Sequence, residues 1–291
     1  MPRRDFSGPD DLRAMQELVQ RIYQVGARFH LGDLGWEYNS VAPERQAGWR
    51  IALWRDGDEV VGWGWVEGQD LLLVVDPARP EVAGEVLDWF RESTSGDSLG
   101  CSVLESETHL IAALAKAGFQ VHEGGHFYTH HTIALADLGT PVVPAGFTLR
   151  HTRPDEVEKR AAVHRAAWSD LRPSKMTAEV MGAVMNTWPY RSELDWVVEA
   201  PNGEFAASAL IWLDEKNRVG LVEPVGCATE YRRRGLGQAV NLGALHALRE
   251  LGAVEARVCP RGDDEYPQAR KLYQSIGFRP GLRTVNYRLD L

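Results

Sequence analysis

The stretch Arg232-Arg233-Arg234-Gly235-Leu236-Gly237 lies between an apolar, strand-like segment at residues 219–228 and a segment with helical periodicity. The periodic apolar residues predict a helix over residues 235–251; they are Leu236, Val240, Ala244, Ala247, Leu248 and Leu251. A strand that turns through glycines into a helix presents free backbone N–H groups at one point, where the helix dipole favours an anion. Gly235 and Gly237 lack a Cβ, so a phosphate can approach the backbone closely. The stretch therefore predicts a diphosphate-binding turn; the alternative is a basic turn before a surface helix.

The elements after this turn carry a second motif. A strand is predicted at residues 254–259 and a helix at residues 264–276, which ends at Gly277-Phe278. Together the two motifs resemble the GCN5-related N-acetyltransferase (GNAT) superfamily, whose acetyl-CoA loop reads Arg/Gln-x-x-Gly-x-Gly/Ala. The matching loop residues are Arg232, Gly235 and Gly237, and a later family segment, Ala-x-x-Leu-Tyr-x-x-x-Gly-Phe, matches Ala269, Leu272, Tyr273, Gly277 and Phe278. The resemblance is strong over residues 219–280 and rests on element order alone over residues 146–218.

The resemblance implies acetyl-CoA as cosubstrate and no metal. The residues it assigns to acetyl-CoA are Val225 and Cys227 on the strand, for pantetheine, and Arg232, Arg233, Arg234, Gly235, Leu236 and Gly237 in the loop, for the diphosphate. It also places Tyr273 opposite the CoA sulfur, where a phenol can donate a proton. The family often has an Asn shortly before the Ala of its later segment, whereas this chain has Glu265-Tyr266 there, so one pantetheine contact is in question.

Acetyl transfer to an amine also needs a base, because an alkyl ammonium has a pKa near ~10.4. The family commonly uses a carboxylate on the strand that leads to the glycine turn, which makes Glu223 the candidate here. Burial in an apolar strand would raise the pKa of this carboxyl toward a useful value. The neighbouring Pro224 has no N–H for the sheet, so we expect a bulged or splayed strand at this point. The alternative for Glu223 is a structural carboxylate paired with a basic side chain.

Length and composition indicate an ordinary globular protein. The chain has 291 residues, 44% of them hydrophobic and 25% charged, which suits two domains of usual size. Apolar runs fall short of the ~20 residues that span a bilayer, and the N-terminus lacks the apolar core of a signal peptide. Cys101, Cys227 and Cys259 are too few and too scattered for a disulfide framework or a zinc site. We therefore expect a cytoplasmic protein that binds neither a membrane nor a metal.

The charged residues are unevenly divided. Residues 1–140 carry 11 Lys and Arg against 22 Asp and Glu, a net charge of −11, whereas residues 141–291 carry 21 against 19, a net charge of +2. An acidic first half argues against nucleic acid as a partner. It is compatible with a cationic amine, although solvated acidic surface explains it equally well.

The two halves of the chain repeat one pattern. A Pro- and Gly-containing segment at residues 138–146 predicts a linker, so the expected domains are residues 1–140 and 141–291. Each half has a predicted hairpin, with turns at Asp56-Gly57 and Asn202-Gly203, followed by a third apolar strand. Each half also has a Gly-Phe pair, at residues 118–119 and 277–278, followed by a strand. The predicted fold is therefore α/β (a mixed sheet) in two tandem GNAT-like domains; two unrelated α/β domains are the alternative.

The first copy differs where the second copy carries its chemistry. Its loop contains Pro77 and Pro80, which lack the backbone donors that a diphosphate would need. Asp76, Glu81 and Glu85 add negative charge at the helix start, which repels an anion. We therefore expect a degenerate first domain and an active site in residues 141–291; a divergent second CoA site is the alternative.

Histidines and tryptophans are weaker indicators. We expect His122, His126, His130 and His131 to lie on the surface of a hairpin, not to bind a metal. Trp168, Trp188 and Trp212 are candidates for an acceptor pocket or for core packing.

The sequence thus predicts an N-acetyltransferase that moves an acetyl group from acetyl-CoA to a primary amine of a small-molecule acceptor. Alternatives left open are a mycothiol-synthase-like enzyme, an antibiotic- or polyamine-modifying enzyme, a protein acetylase, and a non-catalytic acyl-CoA-binding regulator. Neither the acceptor nor the oligomeric state can be inferred from the sequence.

Overall fold

A computed structural model describes residues 1–23, 27–170 and 174–291. The strands are β1 Arg3–Asp5, β2 Arg50–Asp56, β3 Glu59–Glu67, β4 Asp70–Val75, β5 Ser98–Leu104, β6 Gln120–Val121, β7 Thr129–Ala134, β8 Thr148–His151, β9 Asp195–Glu199, β10 Phe205–Asp214, β11 Val219–Cys227, β12 Glu255–Val258 and β13 Arg279–Asp290. The helices are α1 Pro9–Ile22, α2 Leu31–Asn39, α3 Pro43–Gln46, α4 Val82–Ser93, α5 Thr108–Lys116, α6 Val157–Trp168, α7 Ala178–Met185, α8 Leu236–Glu250 and α9 Gln268–Ile276. Within these described ranges, no helix combines the length and apolarity needed to cross a membrane.

The strands join in one mixed sheet, which confirms the predicted α/β class. The order is β1-β2-β3-β4-β5-β13-β7-β12-β11-β10-β9-β8, with β6 beside β13. Both predicted hairpins form, as the antiparallel pairs β2–β3 and β9–β10. Each half has one parallel pair, β4–β5 and β11–β12, at the place where a helix connects the two strands.

The two halves exchange strands in the middle of this sheet. β7, from the first half, lies between β12 and the start of β13. The rest of β13, at the C-terminus, pairs with β5 of the first half over residues 284–290. The division into residues 1–140 and 141–291 stays a prediction, because the sheet is continuous across it.

Helices cover the sheet and close its apolar cores. α4 packs on β3 and β4, in a core that includes Val82, Val86 and Phe90. α8 packs on β9, β10 and β11 through Leu236, Val240 and other residues of its periodic apolar face. α2 belongs to the first half, yet its Trp36 lies in a cluster with Val180 and Trp212 of the second half.

Two sequence expectations were wrong in detail. The last helix begins at Gln268 and not at residue 264, because Arg261, Asp263 and Glu265 form a hydrogen-bonded turn and Pro267 caps the helix. The histidines do not share one surface: His122 and His126 are exposed, whereas His130 and His131 lie on β7 and His131 is buried. Burial, together with the nearby charges of Arg257 and Arg28, lowers the pKa of His130 to about 2.

Candidate active site

The glycine turn leads directly into α8. Gly235 caps the helix with a φ of 80°, in the left-handed region that favours glycine, and Arg233 has a φ of 62°. Over the part of the chain that the structure describes, no acceptor lies within hydrogen-bonding distance of the backbone N–H groups of residues 233–238. A Cβ on Gly235 would point into open space, whereas one on Gly237 would lie 3.4 Å from Leu272. The turn therefore offers free donors at the positive end of a helix dipole. Of its two glycines, Gly235 is the one whose backbone conformation disfavours a side chain.

The three arginines of the turn are in different environments. Arg232 holds Asp170 with two hydrogen bonds of 2.5 and 2.9 Å and also donates to the carbonyls of Ala167 and Cys227. Its guanidinium therefore braces the turn against the end of α6. Arg233 and Arg234 are exposed, so their charges remain available to an anion at the turn. The side chain of Leu236 is buried in the core, so only its backbone can contact a ligand.

A gap opens between β11 and β12, called the cleft below. The two strands pair only from Val219 to Leu221 on β11, while β11 continues to Cys227. The N–H of Ala228 donates to the carbonyl of Ala206 on β10 at 2.9 Å. Because antiparallel pairs alternate, Cys227 and Val225 turn their backbone groups away from β10 and toward the cleft.

Glu223 lies where β11 leaves its neighbour. Ala209 pairs with Val225 but Ile211 pairs with Val222, so β11 has one extra residue at Glu223-Pro224. This is the bulge predicted from Pro224. The indole Nε1 of Trp212 donates to the carbonyl of Glu223 at 2.7 Å and fixes the bulge.

Two carboxyl groups from the first half face Glu223. They belong to Asp33 and Glu37, one turn apart on α2. Desolvation, followed by the charges of Asp33 and Glu37, raises the pKa of Glu223 well above its usual value. Desolvation and the charge of Asp33 also raise the pKa of Glu37 to about 7. The side chain of Glu37 is itself exposed to solvent.

Small residues let α2 approach the second half closely. Gly32 packs against Trp212, and a Cβ at this position would collide with the indole side chain. A Cβ on Gly35 would lie 3.4 Å from the same ring. Gln20 of α1 adds a 2.7 Å hydrogen bond to Asp214 at the end of β10. The first half is thus fixed against the sheet that carries Glu223.

Asp33, Glu37 and Arg257 were missed by the sequence analysis. The i, i+4 spacing of Asp33 and Glu37 does predict one helix face. Nothing in the sequence says that this face meets the second half, because the contact joins residues nearly 200 positions apart.

Tyr273 closes the cleft from α9. Its side chain is 7% exposed and packs against the ring of Phe278 at 5.7 Å. Burial, then the negative charge of Glu223, raises the pKa of the phenol, so that it keeps its proton at neutral pH. Its neighbour Leu272 approaches the start of α8, which joins Tyr273 to the glycine turn.

The remaining candidates have mainly structural surroundings. Burial raises the pKa of Cys227 to about 11, which is unfavourable for a nucleophile. Trp168 stacks on His164 at 4.4 Å, Trp188 lies 3.3 Å from the guanidinium carbon of Arg13, and Trp212 is buried. Among the described residues, no group of three or more His, Cys, Asp and Glu side chains has the arrangement of a metal site.

Comparisons with known proteins bear on the family and the fold. Residues 160–278 match the model of the acetyltransferase (GNAT) family. No curated protein matches the chain.

Several solved structures share the fold over nearly the whole chain. A tandem GNAT protein from the clavulanic acid biosynthesis pathway has a TM-score of 0.64 at 18% identity, over 99% of this chain and 98% of that one. A GCN5-related N-acetyltransferase from Sphaerobacter thermophilus has a TM-score of 0.61 at 17% identity, over 99% and 95%. A GNAT-family acetyltransferase from Colwellia psychrerythraea has a TM-score of 0.62 at 14% identity, over 99% and 100%. Residues 160–278 therefore match the GNAT acetyltransferase family, and the chain as a whole has the fold of a tandem GNAT protein.

Proposed function

We propose that this protein transfers the acetyl group of acetyl-CoA to a primary amine of a small-molecule acceptor, in the cleft of its second half. One observation carries the proposal: the free N–H groups of residues 233–238 open beside a cleft that contains both Glu223 and Tyr273. An anion site, a carboxyl base and a protonated phenol are the three parts that the reaction needs. A regulator that only binds acyl-CoA would have no use for the last two.

The chain offers a continuous path for the cosubstrate. The turn at residues 233–237 would hold the diphosphate through backbone donors, with Arg233 and Arg234 adding charge and Arg232 bracing the loop. The free backbone edge at Val225 and Cys227 would pair with the pantetheine arm. Acetyl-CoA would supply the activated acetyl thioester at the end of this path.

Glu223 and Tyr273 would move the protons. The acceptor arrives as an ammonium ion, and Glu223 would take its proton directly or through one water molecule. The raised pKa of Glu223 makes it a stronger base than an exposed carboxylate. The amine nitrogen would then bond to the thioester carbon, and as the C–S bond breaks the phenol of Tyr273 would donate its proton to the leaving sulfur. The nitrogen would lose its second proton, which returns through solvent to the Tyr273 phenolate, and Glu223 would release its proton to bulk water. Acetylated amine and free CoA thiol are the products.

Free thiols support a cytoplasmic location. Cys101, Cys227 and Cys259 form no disulfide with one another in the structure. This is the usual state of cysteines in a reducing compartment.

The test is acetyl-CoA-dependent thiol release with a panel of small primary amines, for the parent protein and for Glu223→Gln. We expect the amide to lower kcat/KM by about 10²-fold at neutral pH, because it cannot accept the proton. The loss should shrink as the pH rises, since more of the amine arrives without its proton.

Glu250→Gln is the matched control, since it makes the same change on an exposed residue at the end of α8. It should keep the parent rate at each pH. A pH profile of Glu223→Gln that stays parallel to the parent would show that Glu223 is not the base. Acetyl-CoA binding without thiol release from any amine would favour a regulator.

A further inference from the structure

The first residues of α2 fix the carboxyl group of Asp33. The buried ring of His30 accepts the N–H of Gly32 at 3.0 Å, and Asp33 Oδ2 accepts the N–H of His30 at 2.5 Å. These two bonds form a capping box, which ties the side chain of Asp33 to the start of the helix. One carboxyl oxygen of Asp33 is therefore held in place by the first half.

Arg257 holds the same carboxyl group from the second half. It lies on β12, at the edge of the cleft, and its side chain is only 4% exposed. Its Nη2 lies 3.4 Å from Asp33 Oδ2 and donates to the carbonyl of Arg28 at 3.2 Å, and its Nη1 donates to the carbonyl of Ala27 at 3.4 Å. The segment before α2 is therefore fastened to the strand beside the cleft.

Asp33 meets Glu223 at this junction. Gly32 sets α2 directly on Trp212, and the indole of Trp212 holds the carbonyl of Glu223. The two carboxyl groups lie in hydrogen-bonding range, so that a protonated Glu223 donates to Asp33. The carboxyl group of Asp33 and the backbone of Glu223 are thus each held by contacts that do not involve a proton on either carboxyl group.

We propose that Asp33 is a positioning residue for Glu223, so that a helix of the first half orients the carboxyl group of the base in the second half. The inference rests on the proposed function, because it gives Asp33 a role only through Glu223. It makes the active site a composite of both halves. It also gives the first half a use that does not depend on binding a second acetyl-CoA.

Other groups around Glu223 act in opposite directions. Glu37 on α2 adds negative charge and Arg257 on β12 adds positive charge. Tyr128 before β7, Tyr273 on α9 and Cys259 after β12 are neutral while they keep their protons. Asp33→Asn removes the negative charge that raises the pKa of Glu223 most and also leaves Arg257 without its carboxylate partner. Both effects favour the ionised form of Glu223, so its titration should move to lower pH.

The experiment is a pH titration of the full chain with glutamate side chains labelled by ¹³C at the carboxyl carbon. The resonance of Glu223 is identified by its loss in Glu223→Gln, and that of Glu37 by its loss in Glu37→Gln. We expect Asp33→Asn to lower the midpoint of Glu223 by about one pH unit or more. Glu44→Gln, an exposed first-half residue on α3, is the charge control and should leave the midpoint unchanged.

The readout does not depend on full folding of the variant. Asn keeps an oxygen that can accept the N–H of His30, and the midpoint is read from the folded chains alone. An unchanged midpoint in Asp33→Asn overturns the inference, even if Glu223→Gln abolishes turnover. A shifted midpoint in a protein that acetylates no amine overturns the proposed function and leaves the coupling of Asp33 to Glu223 in place.

In an active enzyme, the acidic limb of kcat/KM should move to lower pH in Asp33→Asn by the same amount as the midpoint. A purely structural loss would lower the rate and leave the limb where it is, and that result would also overturn the inference.

Discussion

At the scale of single residues, the hydroxyl group of Tyr273 separates catalysis from binding. Its ring is buried against Phe278, and burial and the charge of Glu223 raise the pKa of the phenol. Tyr273→Phe keeps the ring and removes only the proton donor. We expect turnover to fall by about 10²-fold while acetyl-CoA affinity stays within a few-fold. Thiol-release kinetics and calorimetric titration measure the two quantities.

Tyr287→Phe is the control for this change, because Tyr287 is also buried but lies in the core of the first half. It should keep the parent turnover. A Tyr273→Phe enzyme as fast as the parent with its true acceptor would remove the phenol from the mechanism.

At the scale of elements, α2 depends on a glycine to reach the second half. A Cβ at Gly32 would collide with Trp212, whereas a Cβ at Gly84, in the first turn of α4, would meet no atom within 4 Å. Gly32→Ala should therefore push α2 away, cost about 1–3 kcal/mol of stability and lower kcat/KM at least about tenfold, because Asp33 moves with the helix. Gly84→Ala should keep activity and gain up to about 1 kcal/mol from better helix propensity. Thermal unfolding and turnover of the two variants check this, and equal behaviour would contradict the docking argument.

At the scale of the whole molecule, the two corresponding turns differ in the hydrogen bonds that their N–H groups make to described residues. At the start of α4, Ala78 donates to the side chain of Asp76, and Val82 and Gly84 donate to backbone carbonyls. The corresponding N–H groups of residues 233–238 have no such acceptors among the described residues. We therefore expect calorimetry to find one acetyl-CoA per chain. Gly235→Val should abolish this binding, because valine is strained at a φ of 80° and its side chain projects into the open turn. Two equivalent sites would show that the first half is a functional copy.

Short-range patterns in the sequence predict much of the fold. The hairpin turns at Asp56-Gly57 and Asn202-Gly203, the bulge at Pro224 and the cap at Gly235 each follow from a few adjacent residues. Their cause is local: a left-handed φ, a missing N–H or a two-residue periodicity acts within one turn or strand. The same holds for the motif residues that identified the family. The roles of Tyr273 and Glu223 remain predictions.

The sequence by itself determined the class of fold, the family of the second half and the position of its glycine turn, because these depend on neighbouring residues. Only the tertiary structure decided that β7 and β13 exchange between the halves and that α2 brings Asp33 and Glu37 to Glu223. The sequence of a strand shows which of its faces is apolar, but it does not identify the strand with which it pairs. A charged pair at positions i and i+4 looks the same in the sequence whether its helix is solvated or packed against another element. The charge of the first half therefore suggested solvated surface, while the packing of Gly32 on Trp212 placed two of its carboxyl groups in the cleft.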